Sequence, residues 1–233
     1  MKDLAIVLVS GGMDSCCTAA IAASKHANLA FLHLNYRQRT ERKELECFNK
    51  IADHYDVPNE LRKVIDISFL GQIGGSSLTD ENIDVKKYKG DTEEVPDSYV
   101  PFRNTHIISM AVSWAEVIRA TKIYIGAVEE DSSGYPDCRP SYYKAMNELI
   151  KQGTKDGNIE VITPLIHLSK KDIINKSFDL NAPIQHTWSC YDKEDKACGV
   201  CDSCALRLRG FEQAKKIDPI EYENRPSYLI NNS

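Results

Sequence analysis

The sequence predicts an α/β fold, doubly wound, with helices on both faces of a mostly parallel five-stranded sheet and a cysteine-rich helical appendage at the C-terminus. Three observations lead there. The continuous aliphatic run Leu4-Ala5-Ile6-Val7-Leu8-Val9 ends in Ser10-Gly11-Gly12, as a strand buried on both faces of a parallel sheet does. Strand-like and helix-like stretches alternate up to about residue 180, which implies right-handed crossovers. Residues 183–233 break that rhythm and hold four of the eight cysteines. We therefore divide the chain into a domain over 1–182 and an appendage over 183–233 packed on it.

In chain order, the strand over 4–9 is followed by a helix over 14–25, rich in Ala and carrying Ile21. Residues 29–36 read as a second strand, and 40–56 as a helix loaded with Glu and Lys and capped by Thr40. Val57-Pro58-Asn59 ends it, and 61–67 form a third strand. Residues 68–100 have mixed polarity and no sustained period. Such a segment inside a compact domain is more often a lid or binding loop than a plain connector. Helices over 104–119, 141–152 and 169–180 (the last capped by Ser169) then alternate with strands over 122–128 and 160–166. No internal repeat or low-complexity tract is present.

Composition narrows the functions. Asp and Glu outnumber Lys and Arg by 34 to 29, giving a formal charge of −5. A surface that grips a phosphate backbone usually shows the opposite excess, so small substrates are expected rather than direct nucleic-acid binding. No run approaches the roughly 18 apolar residues that span a bilayer, and the N-terminus has neither a signal-peptide core nor a small-residue cleavage site. The expectation is a cytosolic protein without membrane contact. In a reducing compartment its cysteines are thiols, metal ligands or nucleophiles and not bridges.

Ser10-Gly11-Gly12-Met13-Asp14-Ser15 lies between the first strand and the first helix. Two glycines let the backbone approach an anion and adopt positive φ. The helix start offers unpaired N–H groups and a positive dipole end, and Ser10 and Ser15 add hydroxyls. The bland alternative, a strand-to-helix turn with Gly at the bend, leaves the flanking serines and Asp14 unexplained. The segment is neither G-x-x-x-x-G-K-[S/T] nor G-x-G-x-x-G. It resembles the PP-loop of the ATP-pyrophosphatase families. That resemblance implies a nucleotide held along Leu8, Val9, Ser10, Gly11, Gly12, Met13, Asp14, Ser15, Cys16, Cys17 and Thr18. It further implies adenylation, in which a substrate oxygen attacks the α-phosphate of ATP and pyrophosphate leaves. Asp14 would repel phosphates unless a cation stands between, so Mg²⁺ is expected there.

Cys190, Cys198, Cys201 and Cys204 form C-x7-C-x2-C-x2-C. Two-residue gaps let thiolates converge on one tetrahedral zinc, and Gly199 eases the turn. With all four positions filled by protein, such a zinc is structural. An iron–sulfur cluster uses the same ligand type, and a Cys201/Cys204 redox dithiol would leave the other two cysteines unexplained. Cys16, Cys17 and Cys47 read as helix-packing or solvent-side thiols.

Val100-Pro101-Phe102-Arg103-Asn104 precedes a helix, and Ser133-Gly134-Tyr135-Pro136-Asp137-Cys138-Arg139-Pro140 follows the fourth strand, at the strand end where doubly wound folds bind ligands. Each alone passes for a polar loop. In order with the PP-loop, Asn35-Tyr36-Arg37-Gln38-Arg39, Asp131, Thr163-Pro164-Leu165 and the T-W-S-C-Y…C-G-x-C-D-S-C tail, they resemble the 7-cyano-7-deazaguanine synthase family of the queuosine pathway, over nearly the whole chain. Phe102 departs from the small or acidic residue usual there. The resemblance implies an adenine nucleotide alpha-hydrolase fold and a homodimer. It also implies conversion of 7-carboxy-7-deazaguanine and ammonia to the nitrile, using ATP, Mg²⁺ and one structural Zn²⁺. Arg103 and Arg139 would neutralise charge on the acid or the α-phosphate, Tyr135, Asp137 and Arg139 would bind the ring, and Cys138 is a candidate nucleophile. Two rivals remain. A tRNA-modifying PP-loop enzyme would need a basic face, and a nucleic-acid-binding zinc module leaves the loop unexplained.

Overall fold

The structure, a computed structural model, describes residues 3–80, 82–90, 95–129 and 135–229. Five parallel strands form one sheet: β1 (Leu4–Leu8), β2 (Asn28–Asn35), β3 (Arg62–Asp66), β4 (Lys122–Tyr124) and β5 (Glu160–Ile162). Their spatial order is β3-β2-β1-β4-β5. β1, in the centre, is buried at every residue, so it is aliphatic throughout. β3, at an edge, mixes Arg62, Lys63 and Asp66 with its apolar residues, and charge on an edge discourages pairing with another chain.

The helices are α1 (Met13–Ala23), α2 (Glu41–His54), the short α3 (Phe69–Ile73), α4 (Arg103–Ile118), α5 (Pro140–Gly153), α6 (Lys170–Asp179) and α7 (Asp202–Ala214). α1 packs against both the sheet and α6, and nine of its residues are buried. That explains its small, weakly amphipathic sequence, since Ala and Cys let two layers close on one helix. The Cys17 thiol donates to the Ile173 carbonyl of α6 at 3.6 Å. α6 in turn carries α7, and at Gly210 an added Cβ would lie 2.6 Å from the Lys170 side chain.

The expected alternation is present, with shorter strands. β4 stops at Tyr124 and β5 at Ile162. Past the strand ends the Ile125 N–H to Ile162 carbonyl and the Glu129 N–H to Ile166 carbonyl bonds (3.0 Å each) still tie the two segments together. Ser169 caps α6 by accepting from the Asp172 N–H. Thr40 does not cap α2: its hydroxyl donates to Glu44 Oε1 at 2.8 Å. Within 68–100 the sequence showed no period, and α3 forms there. Lys87 and Tyr88 then run beside Val200 and Cys201.

The C-terminal segment folds over the end of the sheet. Trp188 N–H donates to the Gly11 carbonyl at 2.9 Å. Arg207, 1 % exposed, makes a two-pronged ion pair with Asp218 (2.7 and 2.9 Å) and donates to the Thr187 and Ser189 hydroxyls. Among the described residues no helix is long and apolar enough to cross a membrane.

Candidate active site

From β1 the chain runs outward through β2 to β3, then returns to the other side of β1 for β4. A crevice opens where the winding reverses, at the C-terminal ends of β1 and β4. The loop after β1 leads into α1 there. Gly12, at the start of α1, supplies no side-chain cap, so the first N–H groups of the helix stay free to meet an anion. The loop is braced by its own hydroxyls: Ser15 Oγ donates to the Gly12 carbonyl (2.9 Å), and Gly12 N–H donates to Ser10 Oγ (3.2 Å). Gly11 has φ +88°, and a Cβ there would lie 2.5 Å from the Glu44 carbonyl oxygen of α2. Gly126, just after β4, would put a Cβ 2.9 Å from the Asp14 carbonyl carbon. Both positions require glycine on space alone.

Two adjoining cavities occupy the crevice. The larger, about 270 Å³, has apolar walls from Leu8, Val9, Leu32 and Leu34, and polar groups from Ser10, Ser15, Gln38 and Glu44. The smaller, about 210 Å³, is lined by Tyr135, Cys138, Lys170, Asp202 and Leu206, among others. Met13, Asp14, Arg103, Asn104, Gly126 and Tyr191 line both.

The charges are arranged around Asp14. Lys170 of α6 places Nζ 3.0 and 3.1 Å from its two carboxylate oxygens. Arg103 donates to the Tyr36 hydroxyl at 3.2 Å, and its Nε is buried without a partner. Burial works against its charge, but the surrounding Tyr36, Tyr135 and Asp137 outweigh this and hold its pKa above the ordinary value. Burial also pushes Glu44 up to about 7, against the hydrogen bonds from Thr40 and Gln38 that favour its ionised form.

The segment after β4 is locked to the start of α4. Asp137 Oδ2 accepts from the Asn104 N–H at 3.0 Å, while Asn104 Nδ2 donates to the Asp137 carbonyl (3.0 Å) and to Cys138 Sγ (3.6 Å). Asp137 thus caps α4 from outside the helix. Burial raises its pKa, partly offset by the Asn104 N–H. Tyr135 hydrogen-bonds Ser98 at 2.7 Å and packs on Tyr99.

Of the residues expected along the nucleotide, Leu8, Val9, Ser10, Gly12, Met13, Asp14 and Ser15 line the crevice. Gly11 lies behind, gripped by Trp188. Cys16, Cys17 and Thr18 are fully buried in the next turn of α1, within the core. Arg103, Tyr135 and Cys138 line the smaller cavity, whereas Asp137 stands behind it and Arg139 is exposed at the start of α5. Asp131, Ser133 and Gly134 lie outside the described residues. Glu44, Lys170, Ser189 and Asp202 were not anticipated as lining groups. Lys170 opens an ordinary amphipathic helix and Glu44 lies within one, so only the tertiary fold brings them here.

Cys190, Cys198, Cys201 and Cys204 are buried, and their sulfurs lie within 4.8 Å of one another. A tetrahedral ion bonded to four sulfurs at about 2.3 Å spaces them about 3.8 Å apart, and Cys198 and Cys204 stand at 4.0 Å. The N–H groups of Asp192, Lys193 and Cys198 point at Cys190 Sγ, and those of Val200 and Cys201 at Cys198 Sγ, at 3.3 to 3.5 Å. Such bonds stabilise thiolates around a metal, so the donor set fits a metal ion. Gly199, at φ +77°, shapes the turn, and a Cβ there would fall 1.7 Å from the Asn224 carbonyl oxygen.

The chain is 58 % identical to the 7-cyano-7-deazaguanine synthase of Chloroherpeton thalassium, covering 97 % of this chain and 99 % of the relative. With the synthase of that name from Chlorobaculum parvum it is 56 % identical over the same shares. Among solved structures, a 4-thiouridine synthetase bound to RNA and ATP superposes with a TM-score of 0.51 at 17 % identity, covering 94 % of this chain and 47 % of that one. At that identity the likeness is one of fold. Residues 4–215 match the family described as queuosine biosynthesis protein QueC, and the chain belongs to that family.

Proposed function

We propose that this chain converts 7-carboxy-7-deazaguanine and ammonia to 7-cyano-7-deazaguanine, using ATP, as a carbon–nitrogen ligase. The observation that carries the reading is the pairing of a helix-start anion loop with a second cavity opening on the same Asp14 and Arg103. One pocket holds a nucleotide and the other an acid, with the reacting groups between them.

A carboxylate acylates poorly because its oxygen is a bad leaving group. In this reading a carboxylate oxygen attacks the α-phosphorus, and the bond to pyrophosphate breaks. The free N–H groups at the start of α1, with Ser10 and Ser15, take up the charge of the departing pyrophosphate. Arg103, cationic and with an unpaired Nε, offsets charge on the acid or the α-phosphate. Ammonia attacks the acyl carbon and AMP leaves with one oxygen. Loss of the amide oxygen on the way to the nitrile takes a second activation of the same kind. Tyr135 contributes to the ring pocket. Asp137 acts by fixing Asn104 and hence Arg103, while Arg139, exposed at the start of α5, lines neither cavity. Cys138, hydrogen-bonded to Asn104, is not required for ammonia to react with an adenylate.

Lys170 already balances Asp14, and Asp14 is the carboxylate that would hold Mg²⁺ against the phosphates. The four cysteines crowd a single point, which suits one structural Zn²⁺ better than a cluster of several irons. The reading carries over the appendage at 183–233, small-molecule substrates, a cytoplasmic location and a homodimer. Purified enzyme given the acid, ATP and ammonium should yield nitrile with AMP and pyrophosphate. ADP and phosphate as the sole nucleotide products would overturn it.

A further inference from the structure

Among the described residues, three carboxylates line the two cavities: Asp14, Glu44 and Asp202. Asp14 is taken by Lys170, and Glu44 accepts from Thr40 and Gln38. Asp202 is half-buried in the first turn of α7, between Cys201 and the rest of the cysteine helix, with Asp97 and Lys86 as the charged groups that bear on it. Leu206 lies one turn further on the same face of α7. With Tyr135 and Tyr191 it supplies apolar and aromatic wall to the smaller cavity. Asp14, which Lys170 contacts, and Arg103 also border the larger cavity, whereas Asp202 and Leu206 do not. A flat heterocycle therefore meets a carboxylate acceptor on the side away from the larger cavity and the charged, reacting groups on the side next to it.

An ionised carboxylate only accepts hydrogen bonds. The N1–H and exocyclic C2 amine of a guanine-type ring are two adjacent donors on its six-membered side, and the 7-carboxylate projects from the five-membered side. Resting on the substrate reading above, we propose that Asp202 accepts hydrogen bonds from the N1–H and C2 amine of the 7-deazaguanine ring. The acid is thereby aimed at the Asp14, Lys170 and Arg103 side. The arrangement also gives the cysteine centre a role in substrate choice, since Cys201 and Cys204 fix the turn that carries Asp202.

The test compares kcat/KM for 7-carboxy-7-deazaguanine and for its analogue lacking the C2 amine, with metal-loaded enzyme. The wild type should favour the amino acid substrate on the order of 100-fold or more, as a site built around a substrate donor does. Asp202→Asn and Asp202→Ala should bring the two acids within about tenfold, by raising KM for the amino compound and leaving KM for ATP in place. Asp202→Glu, which keeps both acceptor oxygens, should retain a preference. Metal content and melting temperature equal to wild type would confirm that the variants are folded. Undiminished discrimination in both the Asn and Ala variants overturns the assignment alone. A wild type that turns over neither acid, while still binding ATP, overturns the substrate reading and the assignment with it.

Discussion

At the scale of single residues, Lys170 is the addition that changes the chemistry most. A carboxylate beside a polyphosphate is repulsive, and Lys170 offsets it at 3.0 Å. Lys170→Met should lower ATP–pyrophosphate exchange by about 100-fold, because it leaves Asp14 charged and unpaired in a partly buried site. Lys170→Arg, which keeps a cation facing Asp14, should retain most of the exchange, and a loss as large as that of the Met variant would reject the charge as the cause. Glu44 makes a different prediction. Burial lifts it from an ordinary 4.5 to about 7, so the folded protein keeps a proton that the unfolded chain releases. Stability should therefore fall as pH rises from about 4.5 to about 7 and be level above. The size is on the order of 3 kcal/mol. Melting curves of wild type and Glu44→Gln across that range should converge at the acid end, with the variant the more stable at pH 8.

At the scale of elements, the site depends on how closely α1 meets the strand ends. Gly126 has no positive φ to explain it; what excludes a side chain is the first turn of α1, 2.9 Å from a built Cβ. Gly126→Ala should push that turn away and raise KM for ATP about tenfold with folding retained. Gly153, at the end of α5 with nothing within 4 Å of a built Cβ, is the control. There Ala should leave KM unchanged and stability equal or about 0.5 kcal/mol higher. A similar KM change in both variants would detach the effect from the α1 contact. The shorter β4 belongs to the same picture, for Ile125, Gly126, Ala127 and Val128, just past its end, line the smaller cavity.

At the scale of the whole molecule, the cysteine segment is joined to the nucleotide loop through the backbone bond from Trp188 to Gly11 and the Arg207 node that holds Thr187, Ser189 and Asp218. Binding of a metal to the folded state alone stabilises that state. Removing the metal with a strong chelator should lower the melting temperature, expose the chain after residue 183 to protease and weaken ATP binding. Intact ATP affinity in a metal-free protein whose tail is cleaved would show that the two parts are independent.

The alternation of strands and helices, the anion loop, the four-cysteine centre and the family resemblance are all legible in the sequence. Each rests on local rules: aliphatic runs, glycines at a bend, thiols two residues apart. Asp137 and Cys138 could be singled out, but not the reciprocal clamp with Asn104, because that clamp joins residues 33 positions apart. Cys16, Cys17 and Thr18 looked continuous with the phosphate segment, yet helical rotation turns them into the core. Lys170, Glu44 and Asp202 carry no local signature, since their place follows from α6, α2 and α7 converging on one end of the sheet. The sequence by itself determined the fold and the anion-binding loop at its centre. Only the tertiary structure decided which distant charges face that loop, because opposing charges and cavity walls are set by packing between elements and not by spacing along the chain.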